Sequence, residues 1–288
     1  MKNEIYPCLW FNNNAKEAAE FYTSVFSDSG IISESEFAVA LHLSGQRFLC
    51  LNGGPQHIIN PSISFYAIYE KEKDLDRIWK KLSGEGFIMM PYERYEWSEK
   101  YGWVQDKFGV SWQLSLGKIG NTGQRFTPSL LFTGTNSGKT EEAIHFYTSV
   151  FKNSEIIGIL KYKSGENDID GNVKHAQFTL GKSMFMAMDS SYPHKFTFSE
   201  GVSFVVECDT QEEIDYFWDK LTEGGHESMC GWLQDSYGVS WQIIPSILEK
   251  LMSTPDKAHK VTEAFLKMKK FDIEKLLIAA EQGEPVQG

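Results

Sequence analysis

Cysteine is scarce and scattered. The four, Cys8, Cys50, Cys208 and Cys230, form no CxxC pair, which argues against a disulfide framework or a zinc site and for buried, reduced thiols in a cytoplasmic protein. No apolar run approaches the roughly 18 residues of a membrane span, and Met1 to Phe11 has neither the apolar stretch nor the small-residue cleavage site of a secretory signal. Neither a membrane nor export is expected. Positive charge is also short: Lys and Arg total 28 against 39 Asp and Glu, a net charge of −11, which repels phosphate backbones, so nucleic acid is not an expected partner. There is no GxGxxG, no P-loop and no GxSxG nucleophile elbow.

What is present is an ordinary globular composition, 41% hydrophobic and 23% charged over 288 residues, long enough for two domains. The halves repeat. Phe21-Tyr22-Thr23-Ser24-Val25-Phe26 recurs letter for letter at Phe146 to Phe151, with Ala18 and Ala143 each four residues before the Tyr. Gly102-Trp103-Val104-Gln105-Asp106 through Val110-Ser111-Trp112-Gln113 returns as Gly231-Trp232-Leu233-Gln234-Asp235 through Val239-Ser240-Trp241-Gln242. A tandem duplication follows, with domains expected at 1–118 and 128–247, a Gly- and Thr-bearing linker at 119–127, and a helical tail at 248–288.

Each half is expected to read βαβββ twice, an α+β fold. Pro7 to Phe11 is a strand, and Asn14 with Glu17 offers a capping box for a helix burying Ala18, Tyr22, Val25 and Phe26. Strands are expected near 37–43 and 48–52 around a Gly45-Gln46 turn, then at 62–69, 87–90, 102–105 and 111–116, with a helix through Leu75, Ile78, Trp79 and Leu82. In the tail, Thr254-Pro255-Asp256 starts a helix with Val261, Ala264, Phe265 and Met268 on one face, expected to dock on the body.

The Pro7-Cys8-Leu9-Trp10-Phe11 run, the Ala18 to Phe26 helix, the Phe48 to Gly54 strand and turn, and above all the Gly102 to Gln113 block with its second copy resemble the PhnB-like group of the glyoxalase/bleomycin-resistance, or vicinal oxygen chelate, superfamily. The resemblance covers both halves. It implies tandem domains, each of two βαβββ modules forming an incomplete barrel around a small-molecule cavity, with the pair standing in for the dimer of single-domain relatives. It also implies where metal-using relatives place four His and Glu ligands, on the first and last strands of the modules. Here those strands offer Pro7, Cys8, Asn52, Ser62, Ser64 and Gln113, then Ser129, Asp189, Ser203 and Gln242. Gln113 and Gln242 stand where metal-using relatives carry a Glu, and an amide is a poorer ligand than a carboxylate. No metal and no other cofactor is expected. The group also carries a ubiquinone-type methyltransferase label, but Gly53-Gly54 and Gly224-Gly225 supply no glycine-rich cofactor turn.

The resemblance implies that Gln113 and Gln242 face the cavity while Trp112 and Trp241 pack under the helices, with Gln105 and Gln234 looking the same way. Trp10, Asn52, His175 and Asp189 complete the candidate ligand-binding set; His175-Ala176 matches a His-Ala pair common in the group. The catalytic residue, if there is one, is not identified. Asp106 and Asp235 are expected to build the turns that end in Gly109 and Gly238. The first half carries ten more residues between Gly86 and Gly102 than the second has between Gly225 and Gly231, and this Tyr92-, Tyr95- and Trp97-bearing stretch is expected either to overhang the cavity mouth or, the favoured reading, to bury between the halves. The leading functional expectation is a monomer or homodimer binding a small organic molecule in a metal-free cavity. The alternative is a metal-dependent lyase, isomerase or dioxygenase whose active cavity, in the second domain, uses His175, Asp189 and Gln242.

Overall fold

The computed structural model describes residues 3–281. Its strands and helices fall into four βαβββ modules. The first is β1 (Ile5–Phe11), α1 (Ala15–Val25), β2 (Ser29–Glu34), β3 (Ala38–Leu43) and β4 (Gln46–Asn52). The second is β5 (Ile63–Tyr69), α2 (Glu72–Ser83), β6 (Phe87–Tyr95), β7 (Ser98–Gln105) and β8 (Ser111–Leu116). The third is β9 (Phe126–Phe132), α3 (Thr140–Val150), β10 (Ile156–Lys161), β11 (Val173–Leu180) and β12 (Ser183–Asp189). The fourth is β13 (Val202–Cys208), α4 (Gln211–Leu221), β14 (His226–Glu227), β15 (Trp232–Gln234) and β16 (Ser240–Pro245). Three tail helices follow, α5 (Leu248–Leu251), α6 (Pro255–Phe265) and α7 (Ile273–Glu281); the remainder of the tail, 282–288, lies outside the described residues, as do Met1 and Lys2.

The α+β order is the expected βαβββ, and β2 is the one strand of the first module to which the sequence pattern assigns no residues. β2 escapes the pattern because only its first two residues are half-buried and the rest face solvent, so no apolar alternation marks it. Asn14 does occupy the N-cap of α1, but its side chain makes no capping bond. The cap comes from across the module: Asn52, at the end of β4, accepts from the Ala15 amide at 2.9 Å. Glu17 instead faces Lys107 at 3.7 Å. At the β3–β4 hairpin, Ser44 and Gly45 both take positive φ, 47° and 79°, the geometry a tight two-residue hairpin requires.

Contacts divide the described residues into two compact units, Tyr6–Val202 and the described residues before Tyr6 together with those from Ser203 onward. Within the larger unit, eight strands form one sheet in the order β10-β11-β12-β9-β5-β8-β7-β6. Its centre crosses the expected boundary between the halves, since β9 begins at Phe126, inside the expected linker, and pairs antiparallel with β5. β9 with β12 and β5 with β8 are parallel pairs. A second run in this unit is β1-β4-β3-β2. Alternation puts Phe65, Trp112 and Phe126 on one face of the eight-stranded sheet, where Trp112 packs on Tyr22 and Phe26 of the α1 segment at 5.5 and 4.9 Å between ring centroids. These rings are fully or almost fully buried, each contributing on the order of 3 kcal/mol.

The smaller unit carries β13-β16-β15-β14 and the tail, which docks on it. Ile273 donates its amide to Gln211 of α4 at 2.9 Å, and Lys270 sits between Asp215 at 2.9 Å and Asp219 at 3.4 Å. In the larger unit Lys100 of β7 reaches Asp76 and Glu72 of α2 in the same manner. The tail thus supplies the lysine that the shortened β14–β15 connection lacks. Gly231, at φ 80°, admits it closely: a Cβ there would stand 2.5 Å from the Phe271 ring.

The longer β6–β7 hairpin does not bury as expected. Trp97 is 64% exposed; it stacks on Tyr95 at 4.8 Å and meets Tyr101 edge-on at 5.8 Å between ring centroids. The extra residues close on themselves because the hairpin is stabilised by this aromatic cluster and by Tyr92 stacking on Trp79 of α2 at 4.7 Å.

Candidate functional site

Strand alternation sorts the side chains of the eight-stranded sheet. Opposite the aromatic core, β5 turns Ser64, Tyr66 and Ile68 to the other face, and the register places Ser111, Gln113 and Ser115 of β8 beside them. β9 adds Thr127, Ser129 and Leu131 on the other flank of β5. Beyond these, β7 contributes Tyr101, Trp103 and Gln105, while β12 and β11 contribute Met184, Met186 and Met188, then His175, Gln177 and Thr179. Over these strands the face carries amides, hydroxyls, aromatics and thioethers, and on β5, β8, β9, β11 and β12 no Asp, Glu, Lys or Arg; Glu99, exposed at the start of β7, is the charge at its margin. Burial is deepest at the centre, where Ser64, Ser129 and Gln113 are buried, and eases toward Trp103, Met188 and His175.

A chain of hydrogen bonds occupies that centre. The Tyr101 hydroxyl donates to Gln113 Oε1 at 2.8 Å, and Gln113 Nε2 donates to Ser64 Oγ at 2.7 Å. The Trp103 indole donates to Ser111 Oγ at 2.6 Å. Burial pushes the Tyr101 and Tyr66 hydroxyls above their ordinary range, and it pushes the His175 imidazole below its own, because a charged form loses hydration there. All three are neutral at pH 7. Thr127 Oγ1 is buried on this face without a hydrogen-bond partner.

The other sequence candidates take structural places. Asp189 lies on the opposite face from His175, and its carboxylate is saturated: Oδ1 accepts from Gly138 N at 2.7 Å, Thr140 N at 3.3 Å and Thr140 Oγ1 at 2.7 Å, and Oδ2 from Val173 N at 2.8 Å. It ends β12 as Asn52 ends β4, and both hold the N-terminus of their module's first helix. Asn52 Nδ2 is also used, on Glu36 O at 2.9 Å. Trp10 donates to Gly54 O at 2.8 Å and lies on Gly53, where a Cβ would come within 2.0 Å of the ring. Gln105 Nε2 braces the following turn through Gly109 O at 2.9 Å. In the smaller unit Gln242 donates to Ser203 Oγ at 2.9 Å, as Gln113 does to Ser64, and Gln234 lies opposite Ser240 on β15.

Asp106 and Asp235 are turn residues. Asp106 accepts from Phe108 N, Val110 N and the Trp112 indole at 2.8, 3.1 and 2.8 Å. Asp235 does the same for Tyr237, Val239 and Trp241 at 2.9, 3.0 and 2.8 Å. Burial pushes the Asp106 carboxyl up to about 6 against the pull of those donors.

The donor set does not fit a divalent metal. Ser64 and Gln113 satisfy each other, Asp189 is spent on backbone amides, and among the described residues no group of three His, Cys, Asp or Glu side chains converges. A Lewis-acid centre needs several anionic or imidazole donors aimed at one point. Nor does His175 meet Asp189, since the sheet separates them. An open depression of about 540 Å³ at the β6–β7 hairpin, lined by Arg94, Tyr95, Glu96 and Trp97, gathers no converging acid–base or metal-binding set. No helix among the described residues is long and apolar enough to cross a membrane.

The face also holds the methionine row and Thr127, which sequence motifs do not single out; the methionines leave one trace, the Ser183-Met-Phe-Met-Ala-Met-Asp189 stretch with methionine at every second position.

A family model described as 3-demethylubiquinone-9 3-methyltransferase matches residues 3–115 and 124–244. A PhnB protein from Bacillus cereus is 37% identical over 38% of this chain and 96% of its own, with a TM-score of 0.37. Glyoxalase I from Zea mays shares 11% identity over 87% of this chain and 96% of its own, with a TM-score of 0.58. A Bacillus subtilis protein proposed to be a dioxygenase shares 10% identity over 97% of this chain and 95% of its own, with a TM-score of 0.52. No curated protein matches.

Proposed function

Since the chain belongs to the 3-demethylubiquinone-9 3-methyltransferase family, in its tandem glyoxalase-superfamily form, we propose that it binds a small organic molecule on the inner face of the β5–β12 sheet without a metal. The family description names a methyl transfer, but fold and family name do not carry an activity with them, and the chain has no glycine-rich cofactor turn. The carrying observation is the buried Tyr101–Gln113–Ser64 relay. Such a relay orients a ligand by hydrogen bonding, and the surrounding aromatic and thioether groups supply contact area. General acid–base work has one titratable imidazole here, His175, held neutral by burial and without a carboxylate to orient it. The reading is therefore a binding protein rather than a lyase, isomerase or dioxygenase.

The test is calorimetric titration of compounds released from the acid-denatured protein, in EDTA and again in added Mn²⁺, Ni²⁺ or Zn²⁺. Equal affinity in all media, lost in Gln113→Ala, is expected. Binding seen only with a metal would overturn the reading.

A further inference from the structure

We propose, building on the binding reading above, that the ligand is an uncharged molecule with a flat apolar body and a hydrogen-bonding edge, lying on Met184, Met186 and Met188 with its edge at Thr127 and Gln113. Three independent features of the face carry this.

The first is charge. Five adjacent strands, β11, β12, β9, β5 and β8, present side chains to this face without one formal charge, and Glu99, exposed at the start of β7, stands at its margin. A bound carboxylate, phosphate or ammonium would lose its hydration against a buried centre and find no counter-ion, and an unpaired buried ion costs far more than its hydrogen bonds return. The protonation states agree: His175, Tyr66 and Tyr101 are all neutral.

The second is the methionine row. Met184, Met186 and Met188 repeat along one face of β12, with Ser129 and Leu131 of β9 alongside. Thioethers are polarizable, adapt their rotamers and favour aromatic neighbours. Three in register make a flat apolar strip, with the half-exposed Met184 and Met188 at either end of the buried Met186.

The third is Thr127. Its hydroxyl is buried and unpartnered, and of the buried polar atoms without a partner it alone lies on this face; such an atom gains from a ligand's hydrogen bond. A hydroxyl can donate and accept, so it suits a neutral ligand group such as a carbonyl, phenol or amide. It stands opposite Tyr66 in the β5–β9 register, one strand from the Gln113–Ser64 pair.

The experiment is a fragment screen on the full chain labelled with ¹³C-methyl methionine. Compounds are sorted as neutral, anionic or cationic at pH 7, and the Met184, Met186 and Met188 signals are assigned by single Met→Leu variants. Expected hits shifting those three methyls are predominantly neutral and planar. Thr127→Val should weaken them about five- to tenfold, while the unliganded protein melts no lower, since the hydroxyl has no protein partner to lose. Hits dominated by anions or cations at the same methyls would overturn the ligand class and leave the binding face standing. No hit moving those methyls would overturn both. Unchanged neutral affinity in Thr127→Val would remove the threonine from the recognition edge and refute the proposal in that part.

Discussion

Asp189 decides between two accounts of this fold. If it is a ligand to metal or substrate, removing it spares the fold and abolishes function; if it holds helix α3, removing it unfolds the module. Its carboxylate collects four donors, from Gly138, Thr140 twice and Val173, and Thr140 and Val173 are essentially fully buried. Each buried donor left without a partner costs about 1–3 kcal/mol, and an N-cap lost to alanine costs about 1 kcal/mol. Solvent reaches the exposed Gly138 side, so Asp189→Ala should cost about 4 kcal/mol. At about 2–4 °C per kcal/mol for a unit of this size, the melting temperature falls by about 8–16 °C in a calorimetric scan. Asp189→Asn keeps the Oδ1 contacts and turns an amide toward Val173 N, so it should lose only about 1–3 kcal/mol; Asn52 already fills the matching place in the first module as an amide. An Asp189→Ala protein melting within about 2 °C of the parent would refute the structural role.

Other outcomes follow from the same contacts. The Asp106 carboxyl titrates near 3.9 when unfolded and near 6 when folded, so the folded state holds its proton more tightly. Its contribution to stability is largest below about pH 4 and falls by about 3 kcal/mol as pH rises to about 6. Denaturant melts of Asp106→Asn should lack that falling limb, and a parent-to-variant difference constant across this range would contradict it. Gly231→Ala should destabilise the smaller unit by at least about 2 kcal/mol, because the new methyl meets the Phe271 ring at positive φ; limited proteolysis should then cut near Lys267 to Lys270, and unchanged protection would count against tail docking. Trp97→Ala should leave the melting temperature within about 2 °C, as expected for a largely exposed ring; a second melting step would restore the buried-hairpin expectation.

The repeat made the modules legible, because the Phe21–Phe26 and Gly102–Gln113 blocks carry helix and turn chemistry in residues whose spacing is fixed by the backbone. Asp106 and Asp235 were readable as turns for that reason. Less legible were interactions between segments distant in sequence. Asn52 caps a helix 37 residues away, and Asp189 one 49 residues away; nothing local marks either. The capping box at Asn14 and Glu17 was a correct local signal overridden by that long-range cap. Pairing of β5 with β9 across the expected linker is likewise a matter of tertiary register, which sequence periodicity does not encode. The inner face was half-visible: Gln113 stood out through its place in the repeated block, the methionines show only as an alternation over 184–188, and Thr127 carries no signal and gains meaning only from the strands beside it.

The most direct measurement is elemental analysis of protein purified without chelators or metal-affinity resin, joined to native mass spectrometry of the same sample. The amide- and hydroxyl-lined face predicts metal far below one ion per chain, with any co-purified mass belonging to a neutral organic molecule that persists through EDTA dialysis and is lost in Gln113→Ala. A near-stoichiometric transition metal whose removal also releases the bound molecule would contradict it.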